Sequence, residues 1–370
     1  MDFEFSEEQE AVRASVRRFI EERAPVAWVR DRYDDPRGTT DEVWRGLADM
    51  GVLGLLVPET HGGAGGGMVD AALVLETLGR AVHPGPYASS AIGAVGLVLD
   101  AGTADDHAEL LPGLAAGSSV ATVALLEPNR RAEWRNPTTT ARADGAAWRL
   151  DGAKAHVPDL LAARFVLAIA TDEAGALGVF AVEADADGAT IEAISTIDGS
   201  RKEGTLTLDG AAARRVGGDA SEAIAASVDR LAIAAVVEGV GTAERALEMS
   251  TDYAKERRQF DAPIGSFQAV QHLCADMLKA VELTRAAGYY ACWAADAADD
   301  AERHRAATMA LAFAGDELYA VGASAVQIHA GIGFTWEHDL HLFYKRLLTL
   351  QQMGGGSVDQ LEELATIALD

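Results

Sequence analysis

The stretch that decides the fold runs from Tyr253 to His272 and reads YAKERRQFDAPIGSFQAVQH. It belongs with a second stretch, QIHAGIGF, from Gln327 to Phe334. The first has the pattern of a helix ending over residues 253–260, a turn at Asp261-Ala262-Pro263-Ile264-Gly265, and the start of another helix. The second places Gly331 and Gly333 at the end of a helical, apolar run. Taken singly, each segment has an ordinary reading. Arg257 is then a solvated charge at a helix end and the two glycines a C-cap, and a lone Gly-x-Gly carries little.

The surrounding chain narrows the class of protein. Its 370 residues are 49% apolar and 24% charged, which suits a globular protein of two or three domains. No run of about 18 uncharged apolar residues occurs, so no membrane span is expected. The N-terminal MDFEFSEEQEAVRASVRRF lacks a basic segment followed by an apolar one, so no secretory signal is expected. Cys274 and Cys292 fall in predicted helices without metal-ligand spacing, as reduced thiols of a cytoplasmic protein would. A net charge of −26 argues against nucleic-acid binding, and an anionic ligand would need a local basic site. The acidic residues are dispersed, as on a solvated surface.

Periodicity divides the chain into three: residues 1–118 helical, 119–219 β-rich and 220–370 helical again. Ser6-Glu7-Glu8-Gln9 has the form of a capping box, followed at helical spacing by Ala11, Val12, Val16, Phe19 and Ile20. Thr39-Thr40-Asp41 caps a further predicted helix, and residues 69–78 and 91–99 are apolar helical runs. The glycines of 62–67 read as a flexible turn, since no Lys-Ser/Thr follows as in a phosphate-binding loop. Strands are predicted at 120–125, 148–150, 165–170, 177–182 and 204–208. Turn signals stand at Asp144-Gly145, Asp151-Gly152, Asp187-Gly188 and Asp209-Gly210. Strands without intervening helices imply an antiparallel sheet or small barrel. The last part, with helical segments at 221–258, 266–298, 302–330 and 338–352, predicts a four-helix bundle. The fold expected is thus multidomain α+β: an N-terminal helical domain, a middle antiparallel β domain and a C-terminal bundle.

Read as a pair, the two opening segments resemble the acyl-CoA dehydrogenase family, whose pattern is YAxxRxQFGxPIxxFQAVQ followed by QxxGGxGF. The helix–β–helix order resembles that family too, and so does Gly51 to Gly67, against GLxGLxxPExxGGxG. The resemblance spans nearly the whole chain and is strongest after residue 229. It implies an FAD, with Arg257, Phe260, Gln268, Gln327, Ile328, His329, Gly331, Gly333 and Ser357 serving the cofactor. In such a site Arg257 offers a planar fork to a pyrophosphate. The glycines let the backbone approach, and the glutamines add uncharged hydrogen bonds. In the family this group of residues grips the ADP side of an FAD held by a neighbouring subunit. The implied reaction is oxidation of an acyl-CoA to a 2-enoyl-CoA, in which a carboxylate takes the α-proton and hydride leaves to the flavin.

The catalytic parts depart from the family pattern. The usual glutamate lies in a YEGT-like segment, where this chain has Met353-Gly354-Gly355-Gly356-Ser357. A minority of the family carries its base in a segment like LERLVLA. Here that stretch is Val228-Asp229-Arg230-Leu231-Ala232-Ile233-Ala234, which implies Asp229 as the base and Arg230 as a substrate contact. The Asp229 carboxylate would sit about 1.5 Å farther back than that of a glutamate; the other reading of Asp229 is a surface residue paired with Arg230 or placed near the helix start, where carboxylates are favoured. The flavin-ring motifs TEPxxGSD and KxWIT are reduced to Leu126-Glu127-Pro128-Asn129-Arg130-Arg131-Ala132-Glu133 and Lys154-Ala155-His156-Val157-Pro158. Proline has neither the hydroxyl nor the N–H that the family places at the flavin edge.

Intact parts for a neighbour's cofactor beside eroded parts for its own imply a mixed assembly with a second acyl-CoA dehydrogenase subunit. The alternatives are a self-sufficient homotetramer and a non-catalytic scaffold. An electron-transfer flavoprotein is the implied electron acceptor. Trp134, Trp293 and Trp336 are expected in the core. Trp336-Glu337-His338-Asp339 is expected to cap a helix through its acidic residues rather than bind a metal.

Overall fold

The structure is a computed structural model that describes residues 5–130 and 133–369. Six helices come first: α1 (Glu7–Arg23), α2 (Val26–Asp31), α3 (Asp41–Asp49), α4 (Met68–Arg80), α5 (Val95–Ala101) and α6 (Ala104–Ala115). Seven strands follow: β1 (Ala121–Ala124), β2 (Thr140–Asp144), β3 (Ala147–Pro158), β4 (Phe165–Asp172), β5 (Leu177–Glu183), β6 (Ala189–Ile194) and β7 (Glu203–Val216). The remainder comprises α7 (Ser221–Glu256), a short hairpin β8 (Arg258–Gln259) and β9 (Ala262–Pro263), α8 (Gln268–Ala297), α9 (Asp300–His329), α10 (Leu340–Gln352) and α11 (Ser357–Leu369). The chain forms two compact units. One holds residues 30–71 and 84–231; the other holds the chain up to 29, 72–83 and from 232 onward.

In the β-containing unit the pairings β4–β2–β3–β7–β5–β4 close a ring, with β1 on β4 and β6 on β7. The expected antiparallel arrangement needs correction, because β1 and β2 both run parallel to β4. The long excursion through the β2–β3 hairpin gives the chain the crossover that parallel pairing requires. β4 explains why its sequence, FVLAIA, is an unbroken apolar run. Phe165, Leu167 and Ile169 enter one buried cluster, while Val166, Ala168 and Ala170 enter another. With a period of two, a strand buried on both faces shows no alternation.

Two of the turn signals lie inside strands. Gly152 and Gly210 have φ of 148° and 60°, and the β3–β7 register shifts between Leu150 and Gly152, so Asp151-Gly152 marks a bulge rather than a reversal. Asp144-Gly145 is a true hairpin turn between β2 and β3. Strands β2 and β6 were not expected, being short and largely exposed. Residues 87–94 form a π-helical segment that is almost wholly buried, where an apolar helix was expected only from residue 91 onward.

In the helical unit, α1 begins with the expected capping box. The Gln9 N–H donates to Ser6 Oγ (3.1 Å) and the Ser6 N–H to Gln9 Oε1 (2.9 Å). Helix α9 runs beside α8, α10 and α11. Gly239 of α7 faces Leu318 and Leu350, and Gly288 of α8 faces Val236 and Val237. Helix α11 was not expected and follows the four predicted segments. The stretch 300–334 is long and apolar enough to cross a bilayer, but 56% of its most apolar window is buried within the protein, the pattern of a core helix.

Charged ladders tie these Ala-rich helices together. Arg285 donates to Glu76 (3.1 Å) and Glu244 (2.8 Å), Arg80 to Glu244 (3.0 Å), and Tyr289 Oη to Glu76 (2.8 Å). Both cysteines are free on α8, and burial pushes the Cys292 thiol up.

Helices α4 and α7 cross at van der Waals distance through glycines. A Cβ at Gly241 would fall 1.9 Å from the Glu76 carbonyl oxygen, and one at Gly79 the same distance from that of Glu238. The Thr242 hydroxyl donates to the Gly79 carbonyl (2.9 Å). Backbone cannot yield as a flexible side chain does. Gly241→Ala is therefore expected to destabilise the protein by about 2–3 kcal/mol despite alanine's better helix propensity. Thermal unfolding of the variant checks this, and an unchanged or raised Tm would contradict it.

Candidate functional site

The two opening segments meet in the helical unit. Tyr253, in the last turn of α7, stacks on His329, the last residue of α9, with ring centroids 4.5 Å apart and planes at 21°. His329 Nδ1 hydrogen-bonds the Ala325 carbonyl (2.9 Å), and a second imidazole, His338, has its ring centroid 4.7 Å away. His329 and Ile328 are both buried, so neither side chain is presented to a ligand. Burial lowers the His329 pKa.

From this stack the two turns project outward. Helix α7 stops at Glu256, not at Phe260 as expected. The Arg257 N–H still closes on the Tyr253 carbonyl (2.8 Å), and the Arg257 carbonyl then accepts from Ile264 N–H (2.8 Å). Gln259 pairs with Ala262 across β8 and β9, which leaves Phe260 and Asp261 as a two-residue loop with φ of 52° and 61°. Positive φ at both positions is the pattern of a type I′ hairpin turn, normally filled by Asn-Gly. With Phe-Asp in its place, no hairpin signal is legible in the sequence. The turn holds Phe260 89% exposed, edge-on to Phe267 at 6.2 Å.

Arg257, Gln268 and Gln327 are also exposed. Among the described residues the Arg257 guanidinium has no ion-pair or hydrogen-bond partner, whereas Arg80, Arg285 and Arg346 of this unit are all paired.

The turn after α9 separates the two glycines. A Cβ at Gly333 would lie 3.1 Å from His329 Cβ and 3.4 Å from Val326 Cα, so packing within the chain accounts for that glycine. Gly331 is different. A Cβ there would meet nothing within 4 Å, and its φ is not positive. Nothing in this chain requires glycine at 331, and the open backbone is what an external group could approach. Ala330, where the family pattern has glycine, holds φ 53° and ψ −138°, a region other residues enter at a cost of about 1–3 kcal/mol. Ser357 begins α11 and is half-buried.

Trp336 corrects an expectation, being 57% exposed rather than core, with Lys345 4.9 Å from its ring centroid. Trp134 is buried and Trp293 half-buried. The cap of α10 also differs. Asp339 makes no side-chain cap bond, and the Leu340 N–H donates instead to His338 Nδ1 (3.1 Å). Among the described residues no cluster of metal-ligating side chains occurs.

In the β-containing unit Asp229 is 3% exposed on α7, so it is not the surface residue of the alternative reading. Arg230 pairs instead with Asp100 of α5, through Nη1 to Oδ2 and Nη2 to Oδ1 (3.3 Å). Neighbouring positions on a helix diverge, so Asp229 and Arg230 cannot face each other. Gly96 makes room for Arg230, whose Cδ would lie 3.1 Å from a Cβ there.

The flavin-edge motifs have other occupations. The Glu127 carboxylate accepts from Thr138 N–H (2.7 Å) and Oγ1 (2.6 Å), Thr139 N–H (2.9 Å) and Oγ1 (2.6 Å), and Lys154 Nζ (3.0 Å). Lys154 is fully buried, which no sequence signal indicated. His156 is a strained strand residue with φ 52°, its ring 61% exposed and its Nδ1 2.7 Å from Glu203 Oε2. The Pro158 carbonyl accepts from Thr122 Oγ1 (2.6 Å). Arg131 and Ala132 of the reduced motif lie outside the described residues.

Residues 6–118 match the acyl-CoA dehydrogenase N-terminal domain and residues 222–368 the C-terminal domain. The chain is 32% identical to acyl-CoA dehydrogenase IpdE2 of Mycolicibacterium smegmatis, over 97% of this chain and 98% of that protein. Among solved structures, a variant of the Tcur3481-Tcur3483 steroid ACAD superposes with a TM-score of 0.90 at 32% identity, over 98% of both chains. The ChsE4-ChsE5 complex of Mycobacterium tuberculosis gives 0.90 at 27% identity, over 100% of this chain and 99% of that one. The chain belongs to the acyl-CoA dehydrogenase family, FAD-dependent oxidoreductases acting on CH–CH groups.

The Glu127 cluster has a measurable signature. Burial would raise the carboxyl, but the bonds from Thr138 and Thr139 outweigh it and hold its pKa well below the ordinary 4.5. A depressed carboxylate stabilises the fold above its unfolded pKa, and that contribution is lost as pH falls through the folded value. Urea midpoints should therefore drop from about pH 4.5 downward. Glu127→Gln, which strands Lys154, should cost about 3–5 kcal/mol at neutral pH and flatten the acid limb. A wild-type acid limb in Glu127→Gln would exclude this group as its source.

Proposed function

We propose that this chain is one subunit of a heteromeric acyl-CoA dehydrogenase that converts an acyl-CoA thioester to the 2-enoyl-CoA. In this reading it closes the ADP end of an FAD whose ring is held by the neighbouring subunit. The observation that carries the reading is the unpartnered Arg257 guanidinium on a chain of net charge −26, set on the same pair of turns as Gly331, where a Cβ would meet nothing within 4 Å. Arg257 pairs with the pyrophosphate. Gln268 and Gln327 donate from their amides, Phe260 covers an apolar edge, and Gly331 admits the phosphate to its N–H. Ile328 contributes its backbone. His329 and Gly333 position the turn, and Ser357 offers a hydroxyl.

At the flavin edge the residues do not fit. Pro158 has no donor, Glu127 is saturated, and His156 is tied to Glu203. The two-subunit names of the Tcur3481-Tcur3483 and ChsE4-ChsE5 structures favour a mixed assembly. The steroid named in the first favours a bulky acyl group. The electron acceptor proposed is an electron-transfer flavoprotein, as the family resemblance implies.

Bound FAD supplies the hydride acceptor. Where the substrate lies against this chain, Asp229 is the residue proposed to take the α-proton, its burial suiting a base that works away from water. Arg230, held by Asp100, keeps guanidinium N–H groups for the substrate side.

Flavin absorbance against protein mass tests the assembly. Co-expression with the partner should give about one FAD per two chains, and this chain alone should bind almost none. A full complement on the isolated chain would establish the homotetramer instead, and no flavin in any preparation would establish the scaffold.

The base assignment is tested separately with Asp229→Asn in the assembled enzyme. Turnover should fall by at least about 100-fold with flavin content unchanged. Wild-type turnover would move the base to the partner subunit.

A further inference from the structure

We infer that the helical unit contains an internal hydration site at His83 that binds two water molecules. His83 ends the turn after α4 and is 4% exposed. One face of its ring lies flat on Trp28, at 5.7 Å between centroids and 9° between planes. Neither ring nitrogen has a hydrogen-bond partner among the described residues; His83 is the one described histidine whose two nitrogens are both buried and unpartnered.

The surroundings disfavour the charged ring. Burial, with the Arg346 guanidinium nearby, pulls its pKa down to about 3. A neutral imidazole carries one N–H and one bare lone pair. Left dry, each is a buried polar group without compensation. The two nitrogens diverge across the ring, so one water cannot serve both. One water accepts from the N–H and a second donates to the bare nitrogen.

The setting is polar enough to hold them, as a buried water needs two to four partners. Arg346, itself buried, pairs with buried Glu238 and reaches the Val82 carbonyl only at a long 3.4 Å. Val82 holds φ 44°, a strained value for a β-branched residue. The waters thus hydrate the imidazole of a strained turn, whose two nitrogens have no partner among the described residues.

Two measurements on the full-length protein test this. An experimental structure that resolves other buried waters should show ordered density within hydrogen-bond distance of both His83 nitrogens, and a dry ring would overturn the inference. His83→Phe keeps the flat ring on Trp28 but needs no hydrogen bonds. With waters present in the wild type, its Tm should stay within about 3 °C or fall. A rise of more than about 5 °C would mean that the wild type carries two bare polar atoms, and the hydration site does not exist.

Discussion

The stack of Tyr253 on His329 is the contact on which the two projecting turns of the helical unit depend. It joins the last turn of α7 to the last turn of α9, although 76 positions separate the two rings in the chain. Everything projected from those helix ends takes its position from that contact: Arg257 and the Phe260 hairpin on one side, Gln327 and Gly331 on the other. Both projections are strained. Phe260, Asp261 and Ala330 account for three of the seven non-glycine residues with positive φ in the described chain. Such strain persists only where the surroundings over-determine it, and here a packed ring pair supplies that constraint.

The β-containing unit shows the opposite arrangement. Its carboxylate, lysine and imidazole at the flavin-edge positions are all engaged by their own neighbours. Glu127 is saturated by two threonines and Lys154, and His156 is turned to Glu203. Loss of the Gly-Ser-Asp and Thr residues is therefore more than a loss of donors. What remains is hydrogen-bonded within the chain, Glu127 to Thr138, Thr139 and Lys154, and His156 to Glu203. That contrast between one set of exposed, unpaired groups and another set of satisfied ones gives the proposed division of labour between subunits its physical basis.

Much of the fold was legible because its signals are local. Helices α7 to α10 were predicted to within a few residues, since their periodicity is long and their stops are marked, while α11 was missed. The capping box at Ser6 and the Thr40 cap were read from single residues whose side chains bond within one turn. The failures were equally systematic. β2 and β6 are short and exposed and carry no apolar pattern. The parallel pairing of β1 and β2 with β4 is a long-range choice. Gly152 and Gly210 look like turns in sequence because a bulge and a reversal ask for the same backbone freedom.

By itself the sequence determined the family, the helix–β–helix order and the identity of the residues on the two turns, because motif spacing and periodicity are properties of neighbouring positions. Tertiary structure alone decided which of those residues are available. It exposed Arg257 and Phe260, buried Ile328 and His329, and gave Arg230 to Asp100. It also separated a glycine that packing demands, Gly333, from one that packing ignores, Gly331. Burial and partnership are set by groups distant in the chain, and whether a side chain is engaged inside the protein or left for a ligand follows from them.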